Sequence, residues 1–377
     1  MKKIIQQAFF QLRNQPLLSV ITVLGTALAI ALIMVILIVY QAKTADYAPE
    51  VNRSRSLYVK WERTVYDKKD PNSAGHSRPS LWLVKEIFYP LTTPEAVTAT
   101  YEGGEVLVGT VGSDEEMNTP LMLTDAAFWK VYQFRFLAGK PFTEADFQSG
   151  MKQAVIAKSV ARRLFGGVEN AIGKDILVNF AAYTVCGVVD DVNRFCEFTW
   201  SEVYAPYTSN AIASEAEAGQ TSGNNVITIL ARSTDDFDAI RNEVARGVAQ
   251  INTTLGDMEL QLMGQPDNFR MQLNRKFANQ YENLNANFWK YGIMILIILL
   301  VPAINLSGLT NTRMRRRLEE LGIRKAFGAT RNELVWQVLN ENLVLTVMGG
   351  LLGLALAYLF LWLMSDWLLQ TVWGATA

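Results

Sequence analysis

Three long uncharged apolar runs stand out against a polar chain: Leu17 to Tyr40, Tyr291 to Leu309 and Leu343 to Met364. Each is close to or above the roughly 20 residues that carry a helix across a bilayer. A buried helix of a soluble protein seldom sustains an uncharged run of that length. The pattern therefore predicts three transmembrane helices, at 17–40, 291–310 and 343–364. The first run is too long for the apolar core of a signal peptide, and no small-x-small cleavage site follows promptly. Tyr40, Gln41, Lys43 and Asp46 come next, so it reads as a retained anchor. Ahead of it, Ile4, Ile5, Ala8, Phe9 and Leu12 share one helical stripe, with Lys2, Lys3, Gln6, Gln7 and Arg13 off it. Residues 1–16 thus predict a short amphipathic helix in the inner membrane interface.

The middle of the chain, 41–290, follows other periods. Leu57 to Trp61, Glu105 to Val111 and Val226 to Ala231 alternate or run apolar as strands do. Ile176 to Val178 and Tyr183 to Val189 read as paired strands across a short turn. Ser159 is placed to cap a short helix through Leu164 and Phe165, which Gly166-Gly167 would stop. Ser233 with Asp236 forms a capping-box variant, after which Phe237, Ile240, Val244, Val248 and Ile251 recur at helical spacing. Gly223, Asn224 and Asn225 read as a loop and a subdomain boundary. Leu273, Phe277, Tyr281, Leu284 and Phe288 lead into the second span at helical spacing, and Gln41 to Tyr47 holds no strong breaker after the first. Both spans are expected to continue as stalk helices. The fold class is an α-helical membrane protein with an inserted α+β extracytoplasmic domain.

Charge adds an orientation. Lys+Arg and Asp+Glu nearly cancel, 35 against 36 over 377 residues, yet their placement is uneven. Lys2, Lys3 and Arg13 precede the first span, and Arg313, Arg315, Arg316, Arg317, Arg324, Lys325 and Arg331 lie between the second and third. Such residues gather on the cytoplasmic side, so the N-terminus and the 311–342 segment are expected inside. The domain 41–290 and the C-terminal segment 365–377 are then outside. Mixed charge signs in 41–290 speak against a nucleic-acid surface.

Candidate chemistry is sparse. His76, the one histidine, sits in a polar stretch and reads as a loop residue rather than a metal ligand or triad member. The spacing of Cys186 and Cys196 fits no zinc pattern; an oxidising compartment would permit a disulfide between them, with two separate thiols as the alternative. Gly167 to Asp175 superficially resembles a phosphate-binding loop, but it has one residue too many between its glycines and Asp175 where Ser or Thr is needed. No catalytic, cofactor or metal site follows, and any use of ATP and Mg falls to a partner.

The 311–342 segment is richer. Arg313 to Phe327 is composed of good helix formers, Gly328 offers a C-terminal stop, and Thr330-Arg-Asn-Glu333 is a capping box opening a helix into the third span. A helix, a tight turn and a helix would form a docking knob, with Leu321, Ile323 and Phe327 as apolar anchors and Glu319, Glu320, Arg324 and Lys325 as a charged rim.

Here the residues resemble a family. Glu319 to Thr330, EELGIRKAFGAT, is similar to the signature of MacB/FtsX-type ABC transporter permeases. Phe136 to Asp146, Ala161 to Gly166, Ile172 to Lys174 and Tyr183 to Val188 resemble the periplasmic core domain of that family in order and spacing. The resemblance implies a bacterial inner-membrane permease with a periplasmic domain, working with a cytoplasmic ABC ATPase dimer and a second permease, identical or related. A periplasmic adaptor or substrate protein would join them. It also implies that Glu319, Glu320, Leu321, Gly322, Ile323, Arg324, Lys325, Phe327, Gly328 and Ala329 belong to the loop coupled to the ATPase. The family has four spans, so a fourth is expected that this sequence does not show.

Gly349, Gly353 and Ala357 give the third span a small-xxx-small face, and Gly25 and Ala29 do so in the first. Pro302 predicts a kink in the second. The spans carry no charge, the usual marker of a polar translocation path. Transmission of ATPase motion to the outer domain is the favoured reading, with export of a peptide, toxin or drug, or lipoprotein extraction, as the output. A membrane-anchored regulator or scaffold, such as an activator of a cell-wall hydrolase, is the alternative.

Overall fold

Helix α1 is described over Pro16–Thr44. In the computed structural model the described residues are 16–370 except 111, 113–115, 276, 279–288, 290, 291, 301–321, 324 and 329. Two segments are long and apolar enough to cross a membrane among them, Val20–Thr44 and Leu343–Met364. Ile21, Leu24, Leu28 and Leu32 of the first, and Leu351, Tyr358 and Trp362 of the second, are exposed in the isolated chain. Water disfavours so large an apolar surface and a lipid does not. The second apolar run is helical over 292–300, with Ile293, Leu296 and Ile297 exposed. Its remainder, with Pro302, lies outside the described residues, as do residues 1–15 of the proposed interfacial helix and the whole 311–321 stretch.

The chain divides into two units, one drawn from Met1–Ala42 with Asn283–Ala377, the other Lys43–Glu282. The central unit holds two sheets. The larger has ten strands in the order β14-β1-β12-β4-β5-β10-β7-β9-β6, with β8 pairing β4 and β9. Their ranges are β1 Ser56–Val59, β4 Ala96–Thr110, β5 Glu116–Thr124, β6 Phe136–Gly139, β7 Gln153–Ala157, β8 Asp175–Val178, β9 Ala181–Val189, β10 Val203–Pro206, β12 Asn225–Leu230 and β14 Asp267–Asn268. The smaller, β11-β3-β2-β13, joins Ser222–Gly223, Asp70–Pro79, Glu62–Asp67 and Glu259–Gln261.

Successive strand side chains point to opposite faces, and here both faces are covered. Leu57 and Val59 of β1, Ile227 and Ile229 of β12 and Ala154 and Ile156 of β7 share one apolar cluster. Their in-between neighbours Tyr58, Val226 and Val155 belong to a second. That double burial explains why these strands read as continuous apolar runs. The first cluster is covered by α3, Phe237–Thr254, which buries Ile240, Val244 and Ile251. The Ser233–Asp236 capping box starts a 3-10 turn that runs directly into it.

Several local expectations change. Helix α2, Lys158–Phe165, stops at left-handed Gly166 as expected, but Ala157 holds its N-cap position without a side-chain cap. The N–H of Ser159 instead donates to Asp191 Oδ1 at 2.9 Å, so a distant carboxylate does the capping. Gly223 to Asn225 is the step from β11 of the smaller sheet into β12 of the larger, with Asn224 alone between the strands, and a Cβ on Gly223 would stand 2.5 Å from Ser80 Cα. His76 lies in β3, opposite Arg63 of β2, rather than in a loop. The polar content of that hairpin hid it. At the stalks, α1 continues past Tyr40 to Thr44, and α4, Phe269–Asn274, ends where Arg275 turns extended. Tyr281, Leu284 and Phe288 are outside the described residues.

Candidate functional site

Helix α5, Arg331–Gln370, runs without interruption from the polar segment through the third apolar run and past Met364. Its start is fixed by a reciprocal cap: Thr330 N donates to Glu333 Oε2 at 2.9 Å, and Glu333 N donates to Thr330 Oγ1 at 3.4 Å. The Thr330 backbone N–H holds the Glu333 carboxyl below its ordinary pKa. Before the cap, Phe327 N donates to Ile323 O and Gly328 N to Lys325 O. Gly328 takes φ +94°, a left-handed conformation that suits glycine. The turn leaves Phe327 89% exposed and Ile323 59% exposed. A Cβ added to Gly322 would meet nothing within 4 Å. Glu319, Glu320, Leu321, Arg324 and Ala329 lie outside the described residues.

In the same unit, α5 meets α1 closely. A Cβ on Gly353 would stand 2.6 Å from Ala27 O, and one on Gly349 would stand 2.8 Å from Thr26 Cβ. Ala357 is buried. On α1, nothing among the described residues lies within 4 Å of a Cβ on Gly25. The α1 residues that meet α5 closely are Val23, Thr26, Ala27 and Ile30.

A second arrangement, missed in the sequence, lies where the central unit receives the chain from α1. The Arg53 side chain is fully buried with Glu50, its Nε 2.7 Å from Glu50 Oε2. Arg53 Nη1 donates to Ala45 O at 2.8 Å and Lys43 O at 3.4 Å, and Nη2 to Phe195 O at 2.9 Å. The guanidinium lies 4.3 Å from the Tyr47 ring centre and 4.9 Å from that of Phe269. Glu50 Oε1 accepts from Phe198 N and Thr199 Oγ1, both at 2.9 Å. Burial pushes the Glu50 carboxyl up. Burial alone would lower the Arg53 pKa, and the combined pull of Glu50 and Tyr47 raises it instead. The returning connection has a matching pair: Arg275 Nη2 donates to Asp267 Oδ1 at 3.0 Å and Met263 O at 3.1 Å, both side chains buried. Asp267 belongs to β14, which pairs with β1. The only hint in the sequence was an acid–base pair three residues apart after the first span.

No group of three potential metal-ligating side chains occurs among the described residues. The proposed disulfide is not made. Cys186 Sγ on β9 contacts Ala154 O, Cys196 is buried in the turn after Asn193, and both are free thiols. Burial pushes each up to about 12, which leaves little thiolate at neutral pH.

A family model described as the MacB-like periplasmic core domain matches residues 19–246, and one described as the FtsX-like permease C-terminal matches 292–377. This chain belongs to the MacB/FtsX-type ABC transporter permeases. It is 23% identical to the uncharacterized ABC transporter permease YknZ of Bacillus subtilis, over 90% of this chain and 81% of that one. It is 25% identical to the macrolide export ATP-binding/permease protein MacB of Wolinella succinogenes, over 93% of this chain but 52% of that one. The permease thus spans about half the length of that relative. The crystal structure of the extracellular domain of YknZ has a TM-score of 0.39 and 19% identity, covering 55% of this chain and 99% of that domain.

In the permease, the segments that carried the resemblance in the extracytoplasmic domain are packing devices. Gly139 takes φ +65°, and its Cβ would stand 2.2 Å from Cys186 O; that of Gly187 would stand 2.7 Å from Lys140 O. Thr143 and Asp146 form a capping box on the short helix Glu144–Gln148. Gly139 and Gly187 let β6 lie close against β9.

Proposed function

We propose that this permease carries motion rather than substrate across the inner membrane. A separate cytoplasmic ABC ATPase dimer, holding ATP and Mg, engages the 311–342 segment. Ile323, Lys325 and Phe327 form its apolar and basic contact, and Glu319, Glu320, Leu321, Gly322, Arg324, Gly328 and Ala329 complete it. A second permease copy or relative completes the complex, and the domain outside acts on a peptide, toxin, drug or lipoprotein already beyond the membrane. The observation that carries this reading is the capped, exposed turn at the head of α5: an apolar knob on the end of an unbroken helix that is its own span. A helix is stiff along its axis, so a push on the turn reaches the span directly. The export named for the Wolinella succinogenes relative favours export as the output here.

The test is ATPase stimulation in the reconstituted complex. Glu320→Ala and Gly322→Leu should each reduce stimulation while the partner still co-purifies. Undiminished stimulation in both variants would rule out the assigned coupling segment, and no co-purifying nucleotide-binding subunit would favour a scaffold instead.

A further inference from the structure

We infer that the buried Arg53–Glu50 pair is a coupling joint, the point at which movement of α1 enters the extracytoplasmic domain. The inference rests on the motion-transmitting reading above. The atoms involved all belong to the unit Lys43–Glu282.

Its geometry suits a joint better than a stabilising contact. The last carbonyls of a helix lack intrahelical donors, and Arg53 supplies them to Lys43 O and Ala45 O at the end of α1. The same guanidinium donates to Phe195 O, in the turn after Asn193, and lies over Phe269 at the head of α4. Glu50 holds the guanidinium from the other side while binding Phe198 N and Thr199 Oγ1 of that same turn. One planar group therefore ties the end of α1, the 195–199 turn and the returning segment. Tyr58 of β1 stacks on Phe198 with ring centres 4.3 Å apart and lies 5.6 Å from Phe269, which extends the tie into the large sheet.

Energy points the same way. An apolar pair of similar volume generally serves a core at least as well as a buried ion pair, so such a pair is weak evidence of stabilisation. What a guanidinium adds is direction: its donors form a rigid fork, which an ammonium on a flexible stem does not reproduce. A small rotation or withdrawal of α1 cannot leave the fork behind without leaving its buried donors and the carbonyls of Lys43 and Ala45 unpaired. Arg275 and Asp267 give the returning connection a comparable hold on β14, beside β1.

The decisive experiment uses the full chain in nanodiscs with its co-purified ATPase. Hydrogen–deuterium exchange is compared with and without ATP plus orthovanadate. In wild type, trapping should change exchange in 331–342, in 43–58, in 195–199 and in 267–275. Arg53→Met alone strands Glu50 and is expected to loosen the fold. The double variant Glu50→Met/Arg53→Met removes the charge together with its partner and should restore wild-type protection of β4, β7, β9 and β12. With the joint gone, that double variant should keep the nucleotide-dependent change in 331–342 and lose it in 195–199 and 267–275. Arg53→Lys should retain only part of it. A double variant with normal core protection and an undiminished response at 195–199 and 267–275 would overturn the joint while leaving the motion-transmitting reading intact. A wild-type domain that shows no nucleotide-dependent change overturns that reading and the joint with it.

Discussion

Glu62 shows how a single buried group can make this domain sensitive to pH. Its Oε1 accepts from Ser77 Oγ at 2.8 Å and Ser222 Oγ at 3.0 Å, and its Oε2 accepts from Thr64 Oγ1 at 2.6 Å. These neutral donors pull its pKa down, as does the nearby His76, but burial outweighs them and raises it above the ordinary value of 4.5. The folded state then holds a proton that the unfolded state has already released, so stability falls as pH rises from about 4.5 through the folded value. Glu62→Gln keeps the shape and removes the titration. The difference in unfolding free energy between wild type and Glu62→Gln should therefore depend on pH across that window, with the variant gaining on wild type toward neutrality. A constant difference between pH 4 and pH 7, in matched denaturant titrations, would show that the group does not titrate as described.

At the scale of elements, the decisive contacts are close backbone approaches. Where α5 crosses α1, the space for a Cβ on Gly353 is already taken by Ala27 O, a backbone atom that cannot swing aside. Gly350, three residues earlier, would meet only Ile30 Cδ1, at 3.6 Å. Small residues allow helices to approach in lipid, where packing rather than the hydrophobic effect drives association. Gly353→Ala should lower the stability of the purified chain in detergent by about 1–3 kcal/mol, the usual cost of overpacking, and Gly350→Ala should be nearly silent. Equal thermal midpoints for the two variants would contradict the contact.

For the molecule as a whole, both apolar clusters of the extracytoplasmic domain draw their buried residues from Leu57 to Phe269, entirely within Lys43–Glu282. A unit that owns its core can fold without its anchors. Residues 43–282, expressed alone, should give a soluble protein with a single cooperative unfolding transition and two thiols that react only after denaturation. Aggregation, or thiols that titrate in the native state, would show that the membrane helices contribute to that core.

The sequence determined the features that repeat along the chain or depend on near neighbours. Uncharged runs marked the two apolar spans Val20–Thr44 and Leu343–Met364, Thr330 with Glu333 and Ser233 with Asp236 marked helix starts, and the apolar stripe from Phe237 to Ile251 marked α3. Gly166 and Gly328 marked helix ends, because a left-handed residue at that point favours glycine whatever surrounds it. Tertiary structure decided what depends on residues far apart. The hairpin β2–β3 is polar in sequence and becomes a strand pair only beside β11 and β13. Asp191 replaces Ser159 as the cap of α2 across 32 positions. Which residues of α1 meet the glycines of α5 was settled by tertiary structure too: Thr26 and Ala27 stand against Gly349 and Gly353. Arg53 looks like a solvated linker residue after a span. It is buried because three carbonyls, a carboxylate and two aromatic rings converge on it, and the Phe195 and Phe269 contacts come from segments far along the chain. Periodicity records which face of an element is apolar; which distant charge will meet it is settled only when the chain has closed on itself.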